Sequence, residues 1–189
     1  GAERIAVTLI DWLGESRVHW TMIVIAFIVG IPVFFQVGLV LLIPLVFIMA
    51  QKTRMPFLQI GIPLVSGLSV MHGLVPPHPG PMVAIEVLKA DIGKIIFYSL
   101  LIGIPTAILA GPILGKFLAR RVPLEPSGEL AAQFTLKTKD QNLPGFAITV
   151  FTILLPVLLM LLATCVDLAF PKTSGFRQAI DFIGHPIVA

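Results

Sequence analysis

The sequence predicts an all-α polytopic membrane protein, and two observations lead to this fold class. Apolar residues make up 57% of the 189 residues, charged residues make up only 12%, and the mean hydropathy is +0.99. Soluble domains carry about twice that fraction of charge. The apolar residues also form runs long enough to cross a bilayer, which takes about 20 residues per helix. The lipid bilayer is therefore the first expected partner.

The same composition excludes several classes of function. The net charge is only +3, and the basic residues sit in short clusters at the ends of apolar runs, so no basic face is available for nucleic acid. The single cysteine, Cys165, excludes an internal disulfide framework and a cysteine-based zinc site. No nucleophile–base pattern, phosphate loop or nucleotide fingerprint is visible, so we expect neither an enzyme nor a bound cofactor.

The first long apolar run, residues 20–50, predicts a re-entrant hairpin. The run is too long for one comfortable span, and two spans would need about 40 residues plus a turn. Gly30, Pro32 and Gly38 interrupt it within "GIPVFFQVG". Gln36 in the same stretch places a polar side chain near the middle of the run.

Basic residues at both ends of this run support the hairpin. Arg17 precedes it, and Lys52 and Arg54 follow it. Positive residues mark the cytoplasmic side of a membrane protein, so both ends are expected on that side. Two half-length helices that enter and leave together fit this pattern. One long, tilted and kinked helix stays open as the alternative.

Five further segments complete the predicted topology. Residues 57–88 are expected to form a broken transmembrane helix that crosses outward, and 95–118 a transmembrane helix that crosses back to a basic end. Residues 120–143 carry charges of both signs and predict a cytoplasmic loop. Residues 146–170 predict a last transmembrane helix, and 171–189 a polar connection.

The stretch "MHGLVPPHPGP", residues 71–81, predicts a second break, because its prolines donate no backbone hydrogen bond. We expect residues 75–81 to be non-helical. In hydrocarbon, irregular backbone survives only against protein or a water-filled cavity. A helix at 82–88 would begin after Pro81 and direct its amides into the break, which favours an anionic solute such as a carboxylate. An ordinary loop outside the membrane is the alternative.

Four polar side chains near the two breaks are candidates for chemistry. His72 and His78 can donate and accept hydrogen bonds and can take up a proton near neutral pH. Gln36 is either a solute ligand or a satisfied core amide, and Glu86 is either an interfacial acid or a coupling carboxylate. Cysteine and carboxylate ligands are scarce around the histidines, so we expect no metal site.

Two breaks in adjacent segments resemble secondary transporters, in which discontinuous helices meet and their half-helix ends face the solute. The predicted solute site is formed by both breaks. Its substrate-binding residues are Gly30, Pro32, Phe35, Gln36, Gly38, His72, Gly73, Pro76, Pro77, His78, Pro79, Gly80 and Pro81. The candidates for proton coupling are His72, His78 and Glu86.

Four stretches carry a resemblance to a known family. They are "GIPVFFQVGLVLLIPLVF" (30–47), "HGLVPPHPGP" (72–81), "ADIGKIIFYSLLIGIPTAILAGP" (90–112) and "LPVLLM" (155–160). They resemble the gluconate permease family of bacterial inner-membrane symporters, a gluconate:proton symporter family grouped with the ion-transporter superfamily. The resemblance extends over about residues 15–189. Family members are considerably longer, so the chain is expected to be a middle fragment.

This resemblance implies proton-coupled uptake of gluconate or a related small sugar or hydroxy acid across the bacterial inner membrane. It also implies part of an elevator-type transporter, in which 20–50 is the hairpin and 57–88 the broken helix. The expected partner is a gluconate-like anionic solute, the coupling proton replaces any cofactor, and assembly with identical copies stays open. Uptake of D-serine or a shorter hydroxy acid, and a membrane scaffold or subunit that transports nothing, are the alternatives.

The chain departs from this family's pattern at Gln36, where many members have an acidic residue. A neutral amide cannot titrate. The departure puts the standard solute or the standard coupling in doubt. We therefore expect either another hydroxy acid as solute or coupling through His72, His78 or Glu86.

Overall fold

The computed structural model describes residues 2–122, 124, 145–169, 174–185 and 188, and every regular element in these residues is a helix. Within them, three stretches are long and apolar enough to cross a membrane: Phe35–Thr53, Phe57–Leu88 and Ile92–Ala119. The prediction of an all-helical chain with spans for a membrane is confirmed. The predicted loop at 120–143 lies almost wholly outside the described residues.

The helices follow one another with short connections. They are α1 (Ala2–Leu13), α2 (Val18–Gly30), α3 (Phe35–Thr53), α4 (Phe57–Leu74), α5 (Pro79–Leu88), α6 (Ile92–Ile108), α7 (Leu114–Ala119), α8 (Phe146–Ala169) and α9 (Gly175–Ile183). A 3-10 turn, Glu15–Arg17, precedes α2, and a π-helical stretch, Leu109–Ile113, joins α6 to α7 without a gap.

Helix α4 is the centre of the fold, because α2, α3, α6 and α7 all pack on it. Its fully buried residues Ile60, Leu64, Leu68 and Met71 recur every three or four positions and therefore line one face. Helices in a bilayer gain little from hydrophobicity alone and associate through close packing, which small residues permit. At Gly67 of α4, an added Cβ would lie only 2.6 Å from the Cβ of Ala26 in α2.

Helices α6 and α7 run antiparallel to α4 in a fixed register. The Ser99 hydroxyl donates to the Leu74 carbonyl over 2.6 Å, and the Ser66 hydroxyl donates to the Ala107 carbonyl over 3.3 Å. Further along, Gly115 of α7 lies against the first turn of α4. Two side chains thus bond to the neighbouring helix's backbone, where hydrocarbon offers no other partner.

The π-helical stretch sits where this helix pair comes closest. A Cβ added at Gly111 would lie 3.1 Å from the Cα of Pro63 in α4. Pro112 has no N–H to donate to the carbonyl of Ile108 four residues before it. A local π-helical turn is one way in which membrane helices accommodate such a proline. The sequence analysis treated 95–118 as one regular span and did not predict this change.

The charged residues separate to two ends of the bundle. The first, here called the basic end, carries Arg17, Lys52, Arg54, Lys116, Arg120 and Arg121. There the ammonium of Lys52 at the end of α3 lies 2.6 Å from the carboxylate of Glu15 just before α2. The start of α2 and the end of α3 therefore lie side by side. The opposite end carries Glu86, Lys89, Asp91 and Lys94 between α5 and α6.

The first break is shorter than the sequence predicts. Only residues 31–34 are non-helical, and α3 already begins at Phe35, so Gln36 and Gly38 belong to its first turns. The first N–H groups of a helix have no intrahelical acceptor, so the irregular residues before Phe35 do not prevent α3 from beginning there. The turn between α2 and α3 is therefore four residues long.

The expectation that residues 75–81 are non-helical and that the next helix begins after Pro81 is wrong. Helix α5 begins at Pro79, and only residues 75–78 separate it from α4. Proline is tolerated in the first turn of a helix because the N–H groups there have no intrahelical acceptor. The expectation that 171–189 is merely a polar connection is also wrong, because α9 lies within it.

Candidate functional site

The two helix breaks meet at one hydrogen bond. Nε2 of His78, just before α5, lies 2.7 Å from the carbonyl oxygen of Gly30, the last residue of α2. These residues are 48 positions apart in the sequence. His78 is buried, with 3% of its surface exposed. The two predicted halves of the site are therefore in direct contact.

The direction of this hydrogen bond fixes the state of the imidazole. A backbone carbonyl can only accept, so Nε2 of His78 must carry the hydrogen and donate it. In the neutral ring, Nδ1 of His78 is then the unprotonated nitrogen. The Gly30 carbonyl is one of the four that the C-terminus of α2 leaves without an intrahelical partner. His78 satisfies it from another segment of the chain.

Four helix ends converge around this contact. The C-termini of α2 and α4 arrive at Gly30 and Leu74, and α3 and α5 leave from Phe35 and Pro79. Helix C-termini carry partial negative charge and N-termini partial positive charge. One carbonyl at each C-terminus has a side-chain donor, since His78 bonds to Gly30 and the Ser99 hydroxyl bonds to Leu74. The site thus has two negative ends, each with one bonded carbonyl, and two positive ends.

Ser99 is a site residue that the sequence analysis did not predict. It is buried within α6 and its hydroxyl lies 2.6 Å from the Leu74 carbonyl at the edge of the second break. The only signal in the sequence is a lone serine in the apolar run "IIFYSLLIG". Small residues in such runs usually serve packing.

The positive end of α5 offers fewer donors than a helix N-terminus normally has. Pro79 and Pro81 have no N–H, so Gly80 alone supplies one between them. The Met82 N–H already donates to the His78 carbonyl over 3.0 Å. Gly80 is exposed, and a Cβ added there would meet nothing within 4 Å. The first turn of α5 can therefore present one backbone donor to an anion.

Three rings form a cluster beside the bond between the breaks. The ring centroids of His72 and His78 are 4.9 Å apart, and the Phe34 ring lies 5.9 Å from His72 and 6.0 Å from His78. Nδ1 of His72 is buried and has no hydrogen-bond partner in the described part of the chain. An unpaired imidazole nitrogen next to an open break can accept a hydrogen bond or a proton.

The predicted site residues fall into two groups by exposure. Buried or half-buried ones hold the breaks together, and exposed ones border open space. The first group is Gly30, Phe35, Gly38, His72, Pro76, Pro77, His78 and Pro81. The second group is Pro32, Gln36, Gly73, Pro79 and Gly80.

Glu86 is not brought to the cluster of rings. It lies eight residues after His78, about 12 Å along α5 at the usual helical rise. Its side chain is exposed and its carboxylate lies 3.6 Å from the Lys89 ammonium. Within the described ranges, no group of three His, Cys, Asp or Glu side chains could hold a metal ion.

The site does not lie at mid-height of the bundle. Helix α4 has 18 residues and rises about 27 Å from the basic end before it breaks. From the opposite end, α6 reaches Ser99 only seven residues after its start, about 10 Å. The breaks therefore lie nearer the end that carries Glu86 and Lys94.

Comparison with known proteins gives consistent relatives. A family model described as GntP family permease matches residues 1–189. The chain is 54% identical over 189 residues to the gluconate permease of Pseudomonas aeruginosa, covering all of this chain and 42% of the relative. It is 41% identical over 192 residues to the D-serine transporter DsdX of Escherichia coli O6:H1, with the same coverage of each.

A third relative is the Gnt-II system L-idonate transporter of Escherichia coli K12, 38% identical over 188 residues, with 100% of this chain and 42% of the relative covered. The chain thus spans about two fifths of the length of these curated relatives. No solved structure matches it. The relatives are named permeases and transporters rather than enzymes. From the family match over its whole length, the chain belongs to the GntP family of permeases.

Proposed function

We propose that the complete protein is a secondary active transporter that takes up gluconate or a related small sugar or hydroxy acid together with protons across the bacterial inner membrane. One observation carries this proposal: two helix breaks, far apart in the sequence, meet at the bond between His78 and Gly30. A GntP family chain with this arrangement has the discontinuous helices on which transporters build solute sites.

The proposed solute pocket is bordered by the exposed residues of the two breaks together with His72. A carboxylate would sit at the positive end of α5, where Gly80 offers its N–H and the surrounding space is open. The carbonyls of Gly30 and Leu74 already accept hydrogen bonds from His78 and Ser99, so neither is left without a donor beside the solute. Gln36, exposed in the first turn of α3, would contact the hydroxyl groups of the solute.

The coupling proton is proposed to bind at His72. Its buried Nδ1 is unpaired and its ring contacts both Phe34 and His78. Glu86 is the weaker candidate, because its side chain is exposed, is paired with Lys89 and lies away from the cluster of rings. A proton and a carboxylate would then occupy the same cavity.

We further propose the re-entrant hairpin and an elevator-type mechanism. Helix α2 has 13 residues and rises only about 20 Å, less than the roughly 30 Å of a bilayer core. The Glu15–Lys52 ion pair places the start of α2 beside the end of α3, as a hairpin requires. Helix α3, with 19 residues, is long enough to span by itself, so the adjacent ends carry this inference.

A second candidate solute is a small amino acid or a shorter hydroxy acid. The relative DsdX is named a D-serine transporter, and this chain has Gln36 at a position where the family resemblance implies an acidic residue. An uptake panel separates these candidates. The full-length protein would be reconstituted in proteoliposomes with an imposed proton gradient and supplied with labelled gluconate, L-idonate or D-serine.

We expect gluconate uptake that a protonophore suppresses, with competition by close analogues. Preference for D-serine would select the second candidate. Uptake of none of these solutes, together with cysteines at residues 73–80 that resist aqueous thiol reagents, would favour a membrane scaffold. Uptake that ignores the proton gradient would contradict the coupling alone.

A further inference from the structure

The bond between His78 and Gly30 is the polar contact that joins the tip of the hairpin, residues 31–34, to the second break. Gly30 ends α2, so its carbonyl lacks an intrahelical partner. At this depth hydrocarbon offers no substitute donor. The Nε2–H of His78 donates to the Gly30 carbonyl over 2.7 Å, and the His78 side chain is itself buried.

We propose that His78 is a positioning residue that latches the hairpin tip onto the break between α4 and α5, and that it does not carry the coupling proton. This inference rests on the proposed transport function and assigns one residue of that site. The Nε2–H of His78 is engaged by an atom that can only accept. Only Nδ1 of His78 is then left without a bond, and Nδ1 of His72 is a second unpaired nitrogen, outside the latch, that can take the proton.

The contacts around the latch explain why its effect would be local. Next to it, Gly30 and Gly38 pack against Leu68 and Met71 of α4, where an added Cβ would lie 3.0–3.3 Å from their side chains. These apolar contacts hold α2 and α3 on α4 without His78. The tip beyond them has exposed residues and one aromatic ring, Phe34, that leans on both histidines. Loss of the latch should therefore free the tip and leave the bundle folded.

Two substitutions at one position separate the latch from proton transfer. His78→Ala removes the donor. His78→Gln keeps an N–H donor on a side chain of similar reach but cannot titrate. The matched control is Ser66→Ala, which also removes a bond from a side chain to a backbone carbonyl, in this case from Ser66 of α4 to Ala107, away from the tip.

The first measurement is amide hydrogen exchange over residues 31–38, made on the full-length protein in lipid nanodiscs without solute. The second measurement is gluconate uptake in proteoliposomes. For His78→Ala we expect exchange to rise about tenfold, as for a lost buried hydrogen bond, and uptake to disappear. For His78→Gln and Ser66→Ala, exchange and proton-coupled uptake should stay within about twofold of the unsubstituted protein.

Unchanged exchange at the tip in His78→Ala would overturn the latch. So would faster exchange in His78→Gln equal to that in His78→Ala. Uptake by His78→Gln that no longer responds to the proton gradient would make His78 the proton carrier. If exchange at the tip of His78→Gln stayed slow but the variant took up no gluconate, His78 would do more than position the tip. Since exchange is measured without solute, it tests the latch even if the unsubstituted protein transports none of the panel.

Discussion

The two helix breaks of this chain are both four residues long, yet they are packed differently. In the first, residues 31–34, Pro32 and Phe34 are exposed and the other two residues are half-buried. In the second, residues 75–78, three of the four residues are buried. The irregular backbone of the first break thus lies at an open edge, and that of the second break lies inside the protein.

The two breaks also differ in where the donors for their helix-end carbonyls come from. The carbonyl that ends α2 at Gly30 depends on His78, which belongs to the second break. The carbonyl that ends α4 at Leu74 depends on Ser99 of α6, outside both breaks. The second break therefore keeps one support outside both breaks if the first opens, whereas the carbonyl that ends α2 has its side-chain donor only from the second. Of the two breaks, residues 31–34 are therefore the one better suited to move.

Replacing Gly67 by leucine should have the largest effect, because it removes the packing that supports both breaks. A Cβ at this position would lie 2.6 Å from the Cβ of Ala26, so a leucine must force α2 away from α4. Overpacking of this kind costs about 1–3 kcal/mol, occasionally more. We expect a clearly lower melting temperature in detergent and loss of uptake.

Gly175→Ala is the control for that substitution. Gly175 opens α9, and an added Cβ there would meet nothing within 4 Å. Its melting temperature should match that of the unsubstituted protein. If Gly67→Leu melted at the same temperature as Gly175→Ala, close contact between α2 and α4 would not be the support that the breaks share.

Ser99→Ala should have an intermediate effect, confined to the second break. It leaves the Leu74 carbonyl without its donor, which costs about 1 kcal/mol for a side-chain hydrogen bond in a membrane protein. Amide exchange over residues 72–78 should then rise about fivefold. Exchange over residues 31–38 should hardly change, since the latch from His78 remains.

The control here is Thr106→Ala, which removes a hydroxyl that bonds only within its own helix, to Ile102, at an exposed position. It should leave exchange in both breaks unchanged. A rise over residues 31–38 as large as that over 72–78 in Ser99→Ala would show that the two breaks open together, contrary to the one-way dependence.

Gln36→Glu should have the smallest effect, on uptake and not on stability. The side chain is exposed in the first turn of α3, so the fold gains or loses little. A carboxylate beside the proposed pocket can titrate, which an amide cannot do, so it adds a charge whose effect on an anionic solute depends on pH. The pH dependence of gluconate uptake between about pH 5 and about pH 8 should therefore differ from that of the unsubstituted protein.

Gln51→Glu makes the same change near the basic end, also at an exposed position of α3. Its pH profile should follow that of the unsubstituted protein. An identical profile for Gln36→Glu and Gln51→Glu would place Gln36 outside the solute pocket.

Part of this arrangement could be predicted from the sequence. Glycine and proline locate both breaks because they disfavour helix wherever they occur, and flanking basic residues separate the two ends of the bundle. The extent of each break was overestimated. Helix α5 begins at Pro79 because the first turn tolerates proline, which a count of prolines does not reveal.

Contacts between distant segments were not predictable in the same way. The register of α4 against α2 and α6 brings His78 to Gly30. The same register makes Ser99, rather than Ser66 or Ser69, the donor at the second break. The sequence carries no direct signal for this register. The π-helical turn at Leu109–Ile113 was missed for a related reason, since it reflects the approach of Gly111 to Pro63.

The off-centre position of the breaks has an electrical consequence. They lie about 10 Å from the start of α6 and about 27 Å from the basic end, so in a membrane that spans these two ends with an evenly falling field, a charge that arrives from the side of Glu86 would cross only about a quarter of that field. The remaining three quarters fall on the path to the basic end. At about 2.3 kcal/mol per charge per 100 mV, most of the electrical work on an anion or a proton is done after the break, not before it.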